Sequence, residues 1–84
     1  MKASPDVFAS MARYLTEDDE AAEELWLKVL LAAKRNGMGN DREIILPAAV
    51  ESLRILMRKM KSSEPAKNPA AYFYAVIDRK LKLL

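Results

Sequence analysis

The chain contains no cysteine and no histidine, and it has only two glycines. The lack of cysteine excludes disulfides and thiol nucleophiles, and the lack of histidine removes the commonest proton shuttle near neutral pH and the usual zinc ligands. The glycines, Gly37 and Gly39, lack the spacing of a phosphate-binding loop. Because no nucleophile and base pair or glycine loop can be assembled, we expect neither enzymatic activity nor a bound cofactor.

Long apolar runs are also missing from the chain. None approaches the roughly 20 residues that a membrane span needs, and residues 1–10 lack the basic start and apolar block of an export signal. We therefore expect a cytoplasmic protein that makes no membrane contact. Of the 84 residues, 51% are hydrophobic, which is enough for a single domain that folds alone.

Charge is distributed unevenly, although the net charge is only +2. Residues 1–24 carry two basic and seven acidic side chains, whereas residues 25–84 carry twelve basic and five acidic ones. This asymmetry predicts a basic contact face and an acidic end. The helix macrodipole, which favours acids near helix starts and bases near helix ends, explains the acids well but the later cations less well.

Six of the acids fall within residues 17–24. Carboxylates can hold calcium or magnesium, but this segment has no glycine where a tight metal loop needs one. It is also predicted to be helical, so that neighbouring acids point to different sides. We therefore interpret the acids as the first turn and solvated face of a helix, and predict no metal site.

Start and stop signals divide the chain into helices. Ser4 followed by Pro5 is typical of a cap and a first-turn proline, and it predicts a first helix of about three turns. Thr16 and Asp19 approximate a capping box, which predicts a second helix that runs to about Asn36.

A third helix follows a cap at Asn40 or Asp41, and Pro47 lies near its start. Either the helix begins at Pro47, or it begins near Asp41 and bends where the proline removes a hydrogen bond. We favour the bend, because residues 44–46 would otherwise be an apolar run outside any regular element. The apolar positions expected to be buried are Ile45, Val50, Leu53, Met57 and Met60.

Residues 62–67 are polar and form a connector, after which Asn68 and Pro69 give a strong signal for the start of a fourth helix. Its predicted inner stripe comprises Phe73, Val76, Ile77, Leu81 and Leu84. No stretch alternates with the period of a strand. The predicted fold is therefore all-α, a single domain built as a small bundle of about four helices.

Two groups of side chains suit a polyanion. On the third helix, Arg54, Arg58 and Lys61 are spaced to lie on one face, with Lys59 at its edge. The last helix carries a second group, Tyr72, Tyr74, Arg79, Lys80 and Lys82. Tyrosine stacks on bases of any kind while the cations neutralise phosphates. The alternative for the first group is an ordinary solvent-exposed helix face without a ligand. The alternative for the second group is that one tyrosine lies in the core and the other at the rim of the core.

We expect the two groups to lie on adjacent helices and to form one nucleic-acid surface. The predicted contact residues are Arg54, Arg58, Lys61, Tyr72, Arg79, Lys80 and Lys82. Glutamine is absent and helical asparagines are scarce, so few side chains could read adenine. We therefore predict contacts mainly with phosphates and weak sequence preference.

A protein-interaction or self-assembly module is the competing hypothesis. Methionines, the tryptophan and a leucine-rich end could together leave an adaptable apolar surface. The residues concerned are Met11, Met38, Met57, Met60, Trp26, Leu81, Leu83 and Leu84. Trp26 is expected at the edge of an apolar stripe, with a partner anchor as the alternative.

Residues 67–77, together with the helix that precedes them, resemble the C-terminal domain of the DnaD-like primosome proteins of Firmicutes and their plasmids and phages. Tyr72, Val76 and Ile77 match that family's spacing of a tyrosine and an aliphatic pair, and Lys80 or Leu81 stands where the family has tryptophan. The resemblance implies a helical module of a replication or plasmid-maintenance protein that binds DNA, single-stranded DNA included. It also implies self-association or a replication partner, in either a C-terminal fragment or a free-standing accessory module.

Overall fold

The computed structural model describes residues 3–84, which form four α-helices and no β-strand. Helix α1 spans Asp6–Thr16, α2 spans Asp19–Arg35, α3 spans Arg42–Lys61 and α4 spans Pro69–Lys82. The predicted all-α bundle is confirmed. Lys2, which contributed to the charge count of the acidic end, lies outside the described residues.

The helices pack so that α4 contacts both α2 and α3 extensively. Helix α1 packs mainly on α2 and to a smaller extent on α3, while α2 and α3 touch each other only slightly. The predicted adjacency of the third and fourth helices is therefore confirmed.

Three aromatic rings from three helices meet in the core. The ring centroid of Phe8 in α1 lies 5.1 Å from that of Trp26 in α2 and 6.1 Å from that of Phe73 in α4, both in edge-on geometry. Trp26 is only 1% exposed, so its predicted place at the edge of a stripe is wrong, and it cannot anchor a partner. Because α2 packs against neighbours on several sides, its buried arc is wide enough to include this ring.

The start of α1 differs from the prediction. The helix begins at Asp6 with Pro5 as its N-cap, and Ser4 does not cap it. Instead, the Ser4 hydroxyl donates to the Glu23 carboxylate of α2, which also accepts from the Ala3 amide at 2.7 Å. Ser4 therefore joins two helices.

The turn between α1 and α2 also differs. Thr16 is the last residue of α1, and its hydroxyl donates to the Ala12 carbonyl at 3.1 Å. Glu17 then reverses the chain in the left-handed region with φ 54°, and Asp18 caps α2 by accepting from the Glu20 amide at 3.0 Å. The predicted capping box at Thr16 is wrong because Thr16 is itself helical.

Helix α2 ends at Arg35, one residue before the predicted end. Gly37 adopts a φ of 72°, its amide donates to the Lys34 carbonyl, and the Met38 amide donates to the Ala33 carbonyl. These two hydrogen bonds around a left-handed glycine satisfy carbonyls that the helix end would otherwise leave unpaired.

Helix α3 begins at Arg42 and continues through Pro47, as we favoured. A bend at the proline stays a prediction. The stripe that α3 buries is only partly the predicted one. Its buried residues are Ile45, Ala49, Ser52, Leu53 and Leu56.

Two small residues explain this difference on α3. Ala49 and Ser52 carry little hydropathy, so the apolar pattern favoured Val50, Met57 and Met60, which are only half-buried. The Ser52 hydroxyl donates to the Ala48 carbonyl at 2.7 Å. This bond lets a polar side chain be buried without an unpaired group.

Helix α4 begins as predicted, since the Asn68 carboxamide accepts from the Ala71 amide at 3.1 Å and Pro69 is the first helical residue. Its buried residues are Phe73, Ile77 and Leu81. Leu84 lies beyond the helix end and is 69% exposed, so its assignment to the inner stripe is wrong. Val76 is half-buried, at the margin next to α3.

Candidate functional site

The outward face of α3 carries the first predicted group. Arg54, Arg58 and Lys61 are exposed and line one shallow depression, together with Glu51 and Met57. We call these five residues the α3 cationic face. Arg54 Nη1 lies 3.8 Å from Glu51 Oε2, but an exposed pair of this kind has little energetic weight. The cations of the α3 cationic face therefore remain accessible to a polyanion.

A groove runs along the contact between α3 and α4. Its lining residues are Ile55, Tyr72, Ala75, Val76, Arg79, Lys80 and Leu83. We call it the α3–α4 groove; its volume is about 400 Å³. Part of its lining is apolar, and Arg79 and Lys80 bring positive charge to it. Tyr72 is half-buried in this groove, so part of the ring remains open to a ligand.

Lys59 extends from α3 towards the Tyr72 ring. Its Nζ lies 5.9 Å from the ring centroid, within the range of a cation–π contact. On a helix, five residues after Arg54 correspond to about 140° of rotation, which turns Lys59 away from the α3 cationic face and towards α4. The sequence prediction placed Lys59 only at the edge of the first group and missed this contact.

Tyr74 lies on the opposite side of α4 from the groove. Its hydroxyl accepts a hydrogen bond from Arg35 Nη1 of α2 at 3.2 Å. This bond raises the pKa of the Arg35 guanidinium, which is charged at any ordinary pH. The predicted grouping of Tyr74 with Tyr72 is therefore wrong, since only Tyr72 lies in the α3–α4 groove.

Lys82 is also separate from both surfaces. Its Nζ lies 2.9 Å from Asp78 Oδ2 on α4, and the same carboxylate accepts from Asn36 Nδ2 at 2.9 Å. The Lys82 ammonium, followed by the Asn36 amide, lowers the pKa of Asp78 against the opposing effect of burial. Lys82 thus forms an ion pair within α4, with the carboxylate that also binds Asn36 at the end of α2.

The structure therefore brings the predicted residues together in two sets. Arg54, Arg58 and Lys61 form one, and Tyr72, Arg79 and Lys80 form the other, in the α3–α4 groove. The two surfaces share no lining residue. They adjoin through Arg54 and Ile55, which are consecutive in α3.

The acidic end forms a different surface between α1 and α2. Its lining residues are Ala9, Arg13, Asp19, Glu20, Ala22, Glu23, Glu24 and Leu27. Arg13 Nε lies 2.8 Å from Asp19 Oδ1, so one of its acids is paired within the chain. Within residues 3–84, no three potential metal ligands lie close enough to hold an ion.

Helix α2 exposes an apolar row that the sequence analysis missed. Leu27 and Leu31 are 59% and 52% exposed. Their spacing of four residues could have indicated a second apolar stripe, separate from the buried one.

None of the helices described is both long enough and apolar enough to cross a membrane. Comparison of the chain with protein-family models, curated proteins and solved structures finds no match.

Proposed function

We propose that the chain is a nucleic-acid-binding helical module without enzymatic activity, which contacts mainly phosphates and has weak sequence preference. The supporting observation is the half-buried Tyr72 ring in the α3–α4 groove, with Lys59 at one face and Arg79 and Lys80 in the same groove. An aromatic ring among cations suits a base that stacks while its phosphates are neutralised.

Single-stranded DNA is the ligand that this arrangement favours. The bases of a duplex are stacked on one another, so they cannot reach a ring that lies partly within a groove. An unpaired base can enter, and every base has a face on which tyrosine stacks. The adjoining α3 cationic face would then contact phosphates of the same strand through Arg54, Arg58 and Lys61, without reading sequence.

A replication or plasmid-maintenance setting for this binding depends on the C-terminal resemblance alone. Tyr72 and Val76 of the resembling segment line the groove, whereas Ile77 belongs to the core. We include this setting in the proposal, with DNA as the nucleic acid and with either a second copy or a replication protein as partner.

Salt dependence tests the proposal. Binding of a short single-stranded oligonucleotide should weaken steeply as salt rises from about 50 to about 200 mM, because each neutralised phosphate releases counterions. Arg54→Ala with Arg58→Ala should lower the magnitude of the slope of log K against log salt by about 1.4, since each single-strand contact contributes roughly 0.7.

A matched control removes two cations from α2, through Lys28→Ala with Lys34→Ala. Both variants have the same net charge, but only the α3 variant should change the slope. Equal changes in the two variants would indicate attraction by net charge alone. No binding by the wild-type chain at the lower salt would contradict the proposal.

The second candidate function is a protein-interaction module that does not bind nucleic acid. The exposed Leu27 and Leu31 favour it, because they form an apolar row of which more than half is accessible to solvent. Absence of DNA binding by the wild-type chain would favour this second function.

A further inference from the structure

One side of α2, continuous with the acidic surface between α1 and α2, combines charge with an apolar row. Glu20, Glu24, Leu27 and Leu31 are all exposed, and their spacings of three and four residues place them along one side of the helix. Glu20 and Glu24 form no ion pair in residues 3–84. We call these four residues the α2 acidic–leucine face. Its acids lie towards the start of α2 and its leucines towards the middle.

The outward face of α3 has the complementary composition. The α3 cationic face continues towards the start of the helix through the half-buried Val50, which lies four residues before Arg54. Apolar side chains therefore lie towards the middle of α3 and its cations lie towards the end.

We propose that copies of this chain associate head to tail, with the α2 acidic–leucine face of one copy bound to the α3 cationic face of the next. The two surfaces lie on different helices of each copy, and opposite charges attract across the contact. The proposal does not depend on nucleic-acid binding.

Helix spacing favours an antiparallel arrangement of the two faces. Both helices rise by about 1.5 Å per residue, so a register that sets Leu31 opposite Val50 also sets Glu20 opposite Lys61. In the same register, Glu24 faces Arg58 and the neighbouring Met57, whereas Leu27 falls opposite Arg54 and is not matched. A parallel arrangement with Leu31 opposite Lys61 matches fewer groups, since only Glu24 with Arg54 and Leu27 with Met57 are then complementary.

The contact is small, because a single helix face from each copy contributes to it. Interfaces below about 1,200 Å² are typical of weak, transient association. The arrangement is also heterologous, so each copy keeps one free face and further copies can add to either end. We therefore expect species larger than dimers at high protein concentration, and their dissociation as salt rises.

Sedimentation without nucleic acid tests the proposal on two charge-reversal variants. Glu20→Lys with Glu24→Lys removes the acidic surface, and Arg54→Glu with Arg58→Glu removes the cationic one. Each variant alone should associate at least about tenfold more weakly than wild type, because like charges then meet. An equimolar mixture should restore association, because the intact cationic face of one variant meets the intact acidic face of the other, and the two reversed faces also carry opposite charges.

A charge-matched control places the reversals elsewhere, at Glu17→Lys with Glu64→Lys, and should associate like wild type. Leu27→Gln with Leu31→Gln provides a second test that leaves net charge unchanged, and it should weaken association as well. Far-ultraviolet circular dichroism would show that each variant is folded.

Three results would overturn the proposal. The first is a wild-type monomer at every concentration up to about 1 mM. The second is a wild type that stops at a dimer, because a closed pair excludes head-to-tail addition. The third is a mixture of the two reversal variants that stays monomeric. Since DNA is absent, these results are independent of the nucleic-acid proposal.

Discussion

The contact between α1 and α2 and the contact between α3 and α4 use their aromatic residues differently. In the first, Phe8 and Trp26 are buried against each other, and the surface around them is acidic. In the second, Phe73 is buried but Tyr72 is only half-buried and lies beside cations. The comparison shows that an aromatic residue next to a helix contact has no fixed role, because burial decides whether it stabilises the fold or remains available for a ligand.

The largest effect is expected when the buried ring of Trp26 is removed from the contact between α1 and α2. Trp26→Ala should lower the free energy of unfolding by about 3–5 kcal/mol, because it removes apolar contacts and leaves a cavity. Urea denaturation followed by circular dichroism measures this change. Leu27→Ala on the same helix is the control, and should change stability by less than about 0.5 kcal/mol. Equal losses of unfolding free energy in the two variants would contradict the burial of Trp26.

The second effect concerns the half-buried ring of Tyr72. Tyr72→Ala should weaken binding of a single-stranded oligonucleotide by about 1–3 kcal/mol, the usual loss for one stacked base. Filter binding at constant salt measures the change. Tyr72→Phe should preserve binding, because it keeps the stacking surface, and Tyr74→Ala should preserve it because Tyr74 lies on the other side of α4. A stronger loss in Tyr74→Ala than in Tyr72→Ala would reverse the assignment of the two rings.

A smaller effect is expected where α4 begins. Asn68→Ala should lower the free energy of unfolding by about 1 kcal/mol, because the Ala71 amide loses its capping partner. Asn68→Asp keeps an accepting oxygen and should stay close to wild type. Thermal unfolding of the two variants compares them directly. Wild-type stability in Asn68→Ala would show that the cap has no energetic weight in this fold.

The smallest effect is a pH dependence at the edge of α4. The pKa of Asp78 is lower in the folded chain than its unfolded value of about 3.9. The contribution of Asp78 to the free energy of unfolding is therefore complete above the unfolded pKa, and it is lost as pH falls through the folded pKa. Thermal unfolding of wild type and Asp78→Asn between about pH 6 and pH 2 tests this direction. Wild type should be more stable near pH 6, and the difference should narrow with acid. A difference that widens with acid would contradict the lowered pKa.

Local signals in the sequence predicted the fold well. The start of α4 is set by Asn68 and Pro69, whose capping bond and restricted backbone act within one turn, so no distant contact is needed to foresee it. Thr16 shows the limit of such reasoning. Whether a threonine ends one helix or caps the next depends on where the chain reverses, which here is Glu17 in the left-handed region.

The candidate site was predicted only in part. Arg54, Arg58 and Lys61 share a face because helical spacing requires it. Residues two apart on a helix are turned by about 200° from each other, so the grouping of Tyr72 with Tyr74 could have been rejected from the sequence. The burial of Trp26 and the position of Lys59 beside Tyr72 could not be foreseen, because both depend on which helices pack together.

The single tryptophan gives the molecule a built-in optical reporter. Trp26 is shielded from water and touches Phe8, whereas no tryptophan lines the α3–α4 groove. Its emission should therefore shift to the red only when the interior opens, and should stay constant when an oligonucleotide occupies the groove. One fluorescence spectrum would then separate variants that lose their ligand from variants that lose their structure.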